Sequence, residues 1–170
     1  MRRVCYSVAM SLDGYIADPN GGYDWIVIDP KIDFDAMFAA YDTVLMGRKS
    51  YDAAKASGYG MPGKKAYVFS KTLKQADCPD ATVSDDPKKT VTALKKMKGK
   101  DIWLWGGGEL FRSLLGLKLV DVVEVAVIPV LLGSGLPMLP SPAKSAKLKL
   151  KSHKIYEKTG TVLVTYAVRT

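Results

Sequence analysis

The stretch WLWGGGELF (Trp103–Phe111) constrains the fold more than any other part of the chain. Asp101–Trp105 is short, apolar and rich in large side chains, the pattern of a strand buried on both faces. Gly106, Gly107 and Gly108 follow without a spacer, and Glu109–Leu115 then sets Leu110, Phe111 and Leu114 on one helical face. A strand that runs through three glycines into a helix brings backbone N–H groups to a point free of Cβ atoms. The helix start adds partial positive charge there. The same pattern also serves as a plain strand-to-helix turn. It is not the G-x-G-x-x-G dinucleotide fingerprint, because Phe111 stands where the third glycine would be.

A second junction of this kind lies earlier. Asp42–Met46 reads as a short apolar strand, and Gly47, Arg48, Lys49 and Ser50 open a helix after it. Arg48 and Lys49 are natural phosphate donors and Ser50 can add a hydrogen bond, although two solvated cations at a surface turn would look the same. Lys65–Phe69 is a third strand. Ser70 and Lys71 follow at its C-terminal end, where open α/β sheets bind ligands. The segment GYGMPGKK (Gly58–Lys65) approaches a P-loop, but Lys65 replaces the required hydroxyl and the segment precedes a strand, so it reads as a loop.

The rest of the chain fills in around these junctions. Arg3–Met10 reads as the first strand, Asp13–Gly14 as a turn and Asp18–Gly22 as a loop. Tyr23–Ile26 is placed to cap a pocket. Asp33–Tyr41 reads as a helix capped by Asp33, with Phe34, Met37, Phe38 and Tyr41 on one face. Ala81–Val83 is a short strand, and a helix runs from Pro87 to about Lys98. The β-branched run Val120–Val130 is a central strand, Leu131–Pro137 a loop, and Leu148–Tyr156 with Thr161–Val168 a closing hairpin. Lys147, Lys149 and Lys151 alternate with Ala146, Leu148 and Leu150, as in a strand with one wet face. Helices alternate with strands early and strands dominate late, which predicts a mixed α/β sheet with an antiparallel last strand.

Composition narrows the class. The 170 residues suit one domain spanning 1–170, with 48% hydrophobic and 25% charged residues. No apolar run is long enough to span a bilayer. Cys5, Cys78 and His153 supply neither a disulfide framework nor a zinc ligand set, so a reduced, cytoplasmic protein is expected. The net charge of +8 suits an anionic partner without choosing between a phosphate-bearing cofactor and nucleic acid.

Four stretches together resemble the dihydrofolate reductase superfamily: SVAMSLDGYIA (Ser7–Ala17), DTVLMGRKSYD (Asp42–Asp52), YVFSKTL (Tyr67–Leu73) and WLWGGGELFRSLL (Trp103–Leu115). A fifth, IPVLLGSGLPML (Ile128–Leu139), brings the chain nearest to the reductase domain of the riboflavin-biosynthesis deaminase–reductase and its stand-alone relatives. The resemblance implies a three-layer α/β fold with an eight-stranded, mostly parallel sheet, flanking helices and an antiparallel C-terminal strand. It implies a homodimer, and NADPH (or NADH) lying across the strand ends. By position, Gly47, Arg48, Lys49 and Ser50 would hold phosphate, Ser70 and Lys71 would flank the adenosine, and Gly106, Gly107 and Gly108 would form the pyrophosphate turn, with Glu109, Leu110 and Phe111 also counted as cofactor-binding. Val8 and Ala9 would offer backbone groups to the nicotinamide, and a cis Gly106–Gly107 bond is expected. A substrate pocket would be built from Leu12, Ile16, Trp25, Met37, Phe38 and Trp105, and would accept hydride at a C=N or C=O bond of a small heterocycle.

The chain departs from that pattern at three points. Glu109 stands where dihydrofolate reductases often carry a cation for the 2′-phosphate, which leaves Arg48, Lys49 or Lys71 to select NADPH. The deaminase motifs H-x-E and P-C-x-x-C are absent. The proton-donating carboxylate has no unique match. Asp33 and Asp35 are near its position and equally suit a cap or a surface charge, and Asp13 is either catalytic or a turn residue. A dihydrofolate or pterin reductase, a basic nucleic-acid-binding protein and a nucleotide-binding scaffold without turnover are the competing readings.

Overall fold

The apolar runs assemble into one sheet because each is too short and too hydrophobic to stand alone. The computed structural model describes residues 1–58 and 63–169. In chain order its elements are β1 (Val4–Ser11), β2 (Tyr15–Ala17), α1 (Phe34–Ala39), β3 (Tyr41–Gly47), α2 (Arg48–Ala56), β4 (Lys65–Phe69), β5 (Thr82–Ser84), α3 (Pro87–Lys96), β6 (Asp101–Gly106), α4 (Gly108–Gly116), β7 (Val122–Ile128), β8 (Leu136–Pro137), β9 (Leu148–Tyr156) and β10 (Thr161–Val168). A 3-10 turn covers Gln75–Asp77. The main sheet has eight strands in the order β5-β4-β3-β6-β1-β7-β10-β9, and β2 pairs with β8 in a small second sheet. Pairing is parallel from β5 through to β7, whereas β10 runs antiparallel to both β7 and β9.

Each sheet face carries its own apolar layer. On one side Val4, Tyr6, Ile102, Leu104, Val123 and Val125 pack under α3 and α4, with the Tyr6 ring stacked 4.0 Å from that of Phe111. On the other side Val44, Met46 and Trp103 pack against Tyr51 of α2 and Phe38 of α1. Side chains alternate along a strand, so the register fixes which residues share a face. Cys5 lies beside Trp103 and Ser7 beside Glu124, so Cys5, Ser7, Ala9, Glu124 and Ala126 belong to the Trp103 side.

Several expected boundaries move, for identifiable reasons. The first helix ends at Ala39, because Tyr41 begins β3, where it pairs with Asp101. Lys64 Nζ donates to the carbonyls of Phe38 and Tyr41, at 2.6 and 2.9 Å, and so closes the helix end. The β-branched run forms a strand only over Val122–Ile128. Pro129 has no N–H to give the ladder, and Asp121 is drawn off to the Val4 N–H and to Lys95. The third helix stops at Lys96, and the first strand runs Val4–Ser11, one residue later than expected. Likewise the short strand is Thr82–Ser84 in place of Ala81–Val83.

Part of the expected 131–137 loop is a strand, since Leu136–Pro137 pairs with β2. Gly135 permits that approach: its φ is +151°, and a Cβ there would collide with the Ala17 carbonyl oxygen. The lysine strand lacks the dry face expected of it, because every residue of β9 before Tyr156 is exposed. Of the loop expected over Gly58–Lys65, residues 59–62 lie outside the described residues. Among the described residues no helix is long and apolar enough to cross a membrane.

Candidate active site

The two glycine-led helix openings meet. β3 and β6 are neighbours and both end in glycine, with Met46 beside Gly106. A Cβ on Gly47 would lie 3.9 Å from both Gly106 O and Gly107 N. Ser50 Oγ, one turn into α2, lies 3.6 and 3.4 Å from where Cβ atoms of Gly106 and Gly107 would sit. The Gly106–Gly107 bond is cis, as expected, and Gly106 has φ +153°. Gly47 and Gly107 are the N-caps of α2 and α4, and neither helix start receives a side-chain cap. First-turn N–H groups of two helices therefore converge beside one pair of glycines, an arrangement suited to an anion. Ser70, just past β4, completes the row of strand ends. Its Oγ accepts from the N–H groups of Thr72 and Leu73, at 3.2 and 3.1 Å.

The charged residues here are partly spoken for. Arg48 Nε donates to Asp52 at 2.7 Å along the exposed side of α2, while Lys49 and Lys71 are exposed. Glu109 forms an ion pair with Arg112 at 2.5 Å, so its carboxylate meets a cation within its own helix. Leu110 and Phe111 turn into the core and hold α4 to the sheet. Gly108 is buried for packing reasons: a Cβ there would meet Pro137 O at 2.7 Å and Pro140 Cδ at 2.9 Å. On β1, pairing with β6 ends at Tyr6 and Leu104, which leaves Val8 and Ala9 beyond that ladder while they still pair with β7.

The three candidate carboxylates take other work. Asp13 accepts from Ser11 Oγ at 2.6 Å, from Leu132 N–H at 3.1 Å and from Gly133 N–H at 2.7 Å. The Ser11 hydroxyl and then these amides hold its carboxyl below the usual carboxylate range, which suits a clasp between β1 and the 131–133 segment better than a proton donor. Asp33 caps α1, accepting from the Ala36 N–H at 2.9 Å, and Asp35 is exposed in its first turn.

Of the expected pocket residues, Phe38 and Trp105 belong to one aromatic series. Ring centroids are 5.9 Å apart for Phe34 and Phe38, 5.4 Å for Phe38 and Trp103, and 5.9 Å for Trp103 and Trp105. Met37 shares the half-buried face of α1 with Phe38, and Ile16 is half-buried in β2. Trp25 donates its indole N–H to Gly22 O at 3.3 Å. Leu12 sits on the turn after β1 with its side chain 63% exposed.

Three features of this region are not legible in the sequence. Trp103 links the aromatics, and its indole N–H bonds the Ser7 carbonyl at 3.2 Å. Glu124, half-buried in β7, accepts from Ser7 Oγ at 2.9 Å and from Thr165 Oγ1 at 3.0 Å. The chain shows it as a lone acid inside the run VVEVAVI, which indicates neither partner nor role. Asp29 is 1% exposed and accepts from Lys31 N–H at 2.9 Å and Thr159 Oγ1 at 3.0 Å, pinning the segment before α1 to the β9–β10 turn. Those bonds, the Lys31 amide foremost, keep its carboxyl low. Cys5, on the same sheet face, is buried and free, and burial pushes its thiol up to about 12, so it is no nucleophile. A separate concavity lined by Met1, Arg2, Ala39 and Lys98 lies at the opposite end of the strands. It contains none of the groups described above, and the glycine junctions remain the better candidate.

The fold has counterparts among known proteins. The family model of the RibD C-terminal domain matches residues 2–164. The uncharacterized Bacillus subtilis (strain 168) protein YyaP is 34% identical over 178 residues, covering 97% of this chain and 94% of its own. The crystal structure of a putative riboflavin biosynthesis protein from Shewanella sp. PV-4 superposes with a TM-score of 0.83 at 24% identity, covering 100% of both chains. That of the Thermotoga maritima diaminohydroxyphosphoribosylaminopyrimidine deaminase/5-amino-6-(5-phosphoribosylamino)uracil reductase gives 0.73 at 19% identity. It covers 99% of this chain but 57% of that one.

Proposed function

The chain belongs to the RibD C-terminal domain family, and we propose that it is a nicotinamide-dependent reductase. It would transfer hydride from NADPH to a C=N or C=O bond of a small heterocycle, of the kind named for the Thermotoga maritima protein. The observation that carries this reading is the meeting of the Gly47 and Gly106–Gly107 turns beside Ser50. A diphosphate fits there: no Cβ intrudes from the glycines, and no side chain caps either helix start.

When bound, the cofactor supplies the hydride. The chain does the rest. Gly47, Ser50, Gly106 and Gly107 hold the diphosphate, and Val8 and Ala9 offer backbone groups to the carboxamide. Phe38, Trp103 and Trp105 keep water from the reacting ring. Lys49 and Lys71 are free to meet a 2′-phosphate, whereas Arg48 would first have to leave Asp52. Asp13, Asp33 and Asp35 are committed to clasp, cap and solvent, so the proton comes from water at the pocket mouth. A dihydrofolate-type reading wants a buried carboxylate on α1, and the exposure of Asp33 and Asp35 argues against it.

Two further expectations join this proposal. Leu148, Leu150 and Ile155 of β9 are 41, 52 and 60% exposed and stand opposite Val168, Tyr166 and Val162 of β10. An apolar stripe of this kind favours a second copy over nucleic acid, which prefers aromatic platforms. Two free cysteines suit a reducing, cytoplasmic setting. Substrate-dependent oxidation of NADPH across a panel of aminouracil nucleotides and pterins tests the activity. Turnover with the former supports the reading, turnover with pterins alone shifts it to the dihydrofolate type, and cofactor binding with no turnover leaves a scaffold.

A further inference from the structure

Glu124 is an acid in the interior of a central strand, flanked on both sides by hydroxyls from neighbouring strands. Moving a carboxylate out of water is costly unless its lone pairs are used. Among the described residues no cation pairs with it, and its hydrogen-bond partners are the neutral Ser7 and Thr165. A strut between three strands would not need the charge, since a glutamine could bond the same two hydroxyls. What the charge changes is the character of the surface. Both hydroxyl protons are committed to the carboxylate, so Ser7, Glu124 and Thr165 present acceptors to whatever lies above them.

The surroundings make this a floor, and not a filled interior. Along the same face the residues next towards the strand ends are Ala9 on β1 and Ala126 on β7, which leave the sheet low there, with Leu163 of β10 bordering Ala126. Trp103 stands on β6, two strands from Glu124, held by its bond to Ser7 O, and leads through the aromatic series to Trp105 and α1. The segment pinned by Asp29 to the β9–β10 turn runs from there back to α1.

We infer that Glu124, with Ser7 and Thr165, is the recognition point for the substrate's donor edge: two adjacent N–H groups of an amino-substituted nitrogen heterocycle. A carboxylate accepts such an edge through two parallel charge-assisted bonds. It disfavours an edge that offers only carbonyl or ether oxygens, because acceptor would then face acceptor. Glu124 on this account selects and orients the heterocycle and takes no part in hydride or proton transfer. The inference rests on the reductase reading for its substrate, but its test does not depend on turnover.

The test is calorimetric titration of the full chain with 2,6-diaminopyrimidin-4(3H)-one, whose ring N–H and 2-amino group form such an edge, with 2,4-dimethoxypyrimidine and, separately, with NADPH, for wild type and Glu124→Gln. The expected result is that the diamino probe binds wild type at least about tenfold more tightly than the dimethoxy probe, and that Glu124→Gln removes this preference. NADPH affinity is unchanged by the substitution, which a collapse of the fold would not permit. Equal binding of the two probes to wild type, binding of neither, or a preference that survives in Glu124→Gln overturns the inference. The wild-type comparison decides even if the variant does not fold. If the probe preference depends on Glu124 while NADPH fails to bind wild type, the donor-edge site stands and the reductase reading falls.

Discussion

Tyr6 carries its hydroxyl into the core with no partner among the described residues, while its ring is fully buried against Phe111. A buried hydroxyl without a bond costs free energy that a hydrogen in its place would not. Tyr6→Phe is expected to stabilise the fold by about 1 kcal/mol, read as a rise in Tm of roughly 2–4 °C. Asp13 and Asp29 have the opposite character, since each is held low by the groups that bond it. A depressed folded pKa gives stability that is complete above the unfolded value, about pH 4, and is lost as pH falls through the folded one. Thermal melts should therefore show Tm falling below about pH 4, with a shallower fall and a lower neutral Tm in Asp13→Asn. At this scale the sequence was informative where the partner is local. Asp33 caps the helix it precedes. Glu124 was silent because its partners come from residues 7 and 165, on strands that touch only in the finished sheet.

The α4 opening holds glycines of two kinds. Gly106 and Gly107 face Ser50 and keep an approach clear, whereas Gly108 presses against the backbone of Pro137 and Met138. Gly108→Ala should cost about 1–3 kcal/mol in urea unfolding, because the nearest atoms are carbonyl oxygens and a proline ring that cannot swing aside. Gly116→Ala, at the far end of the same helix with nothing within 4 Å, should stabilise by about 0.5 kcal/mol. Elements with a strong period or a full apolar run, such as β4, β6, β9 and β10, could be read from the chain nearly to the residue. β2 and β8 could not. A pair so short is made by the Gly135–Ala17 approach and carries no pattern of its own.

The whole molecule orders its strands so that β3, β6 and β1 stand side by side, and their C-terminal ends form one ledge. That adjacency is what the sequence could suggest only through resemblance, since no local pattern says which strand lies beside which. The far edge tells a different story. β9 ends the sheet with Leu148, Leu150 and Ile155 bare, although alternation with lysines had promised a covered side. If a second copy covers them, sedimentation equilibrium should give twice the chain's 18.5 kDa, and Leu150→Glu with Ile155→Glu should return the single-chain mass. A single-chain mass for wild type would remove the dimer from the account.

The ledge itself is tested most directly by titrating the wild-type chain and Gly107→Val with NADPH. Ser50 Oγ already sits 3.4 Å from the position of a Cβ at residue 107, so valine would fill the gap between the two helix openings. Saturable binding at one site per chain, weakened at least about tenfold by the substitution, is the expected result. Absence of binding to wild type, or equal binding to both, would contradict it.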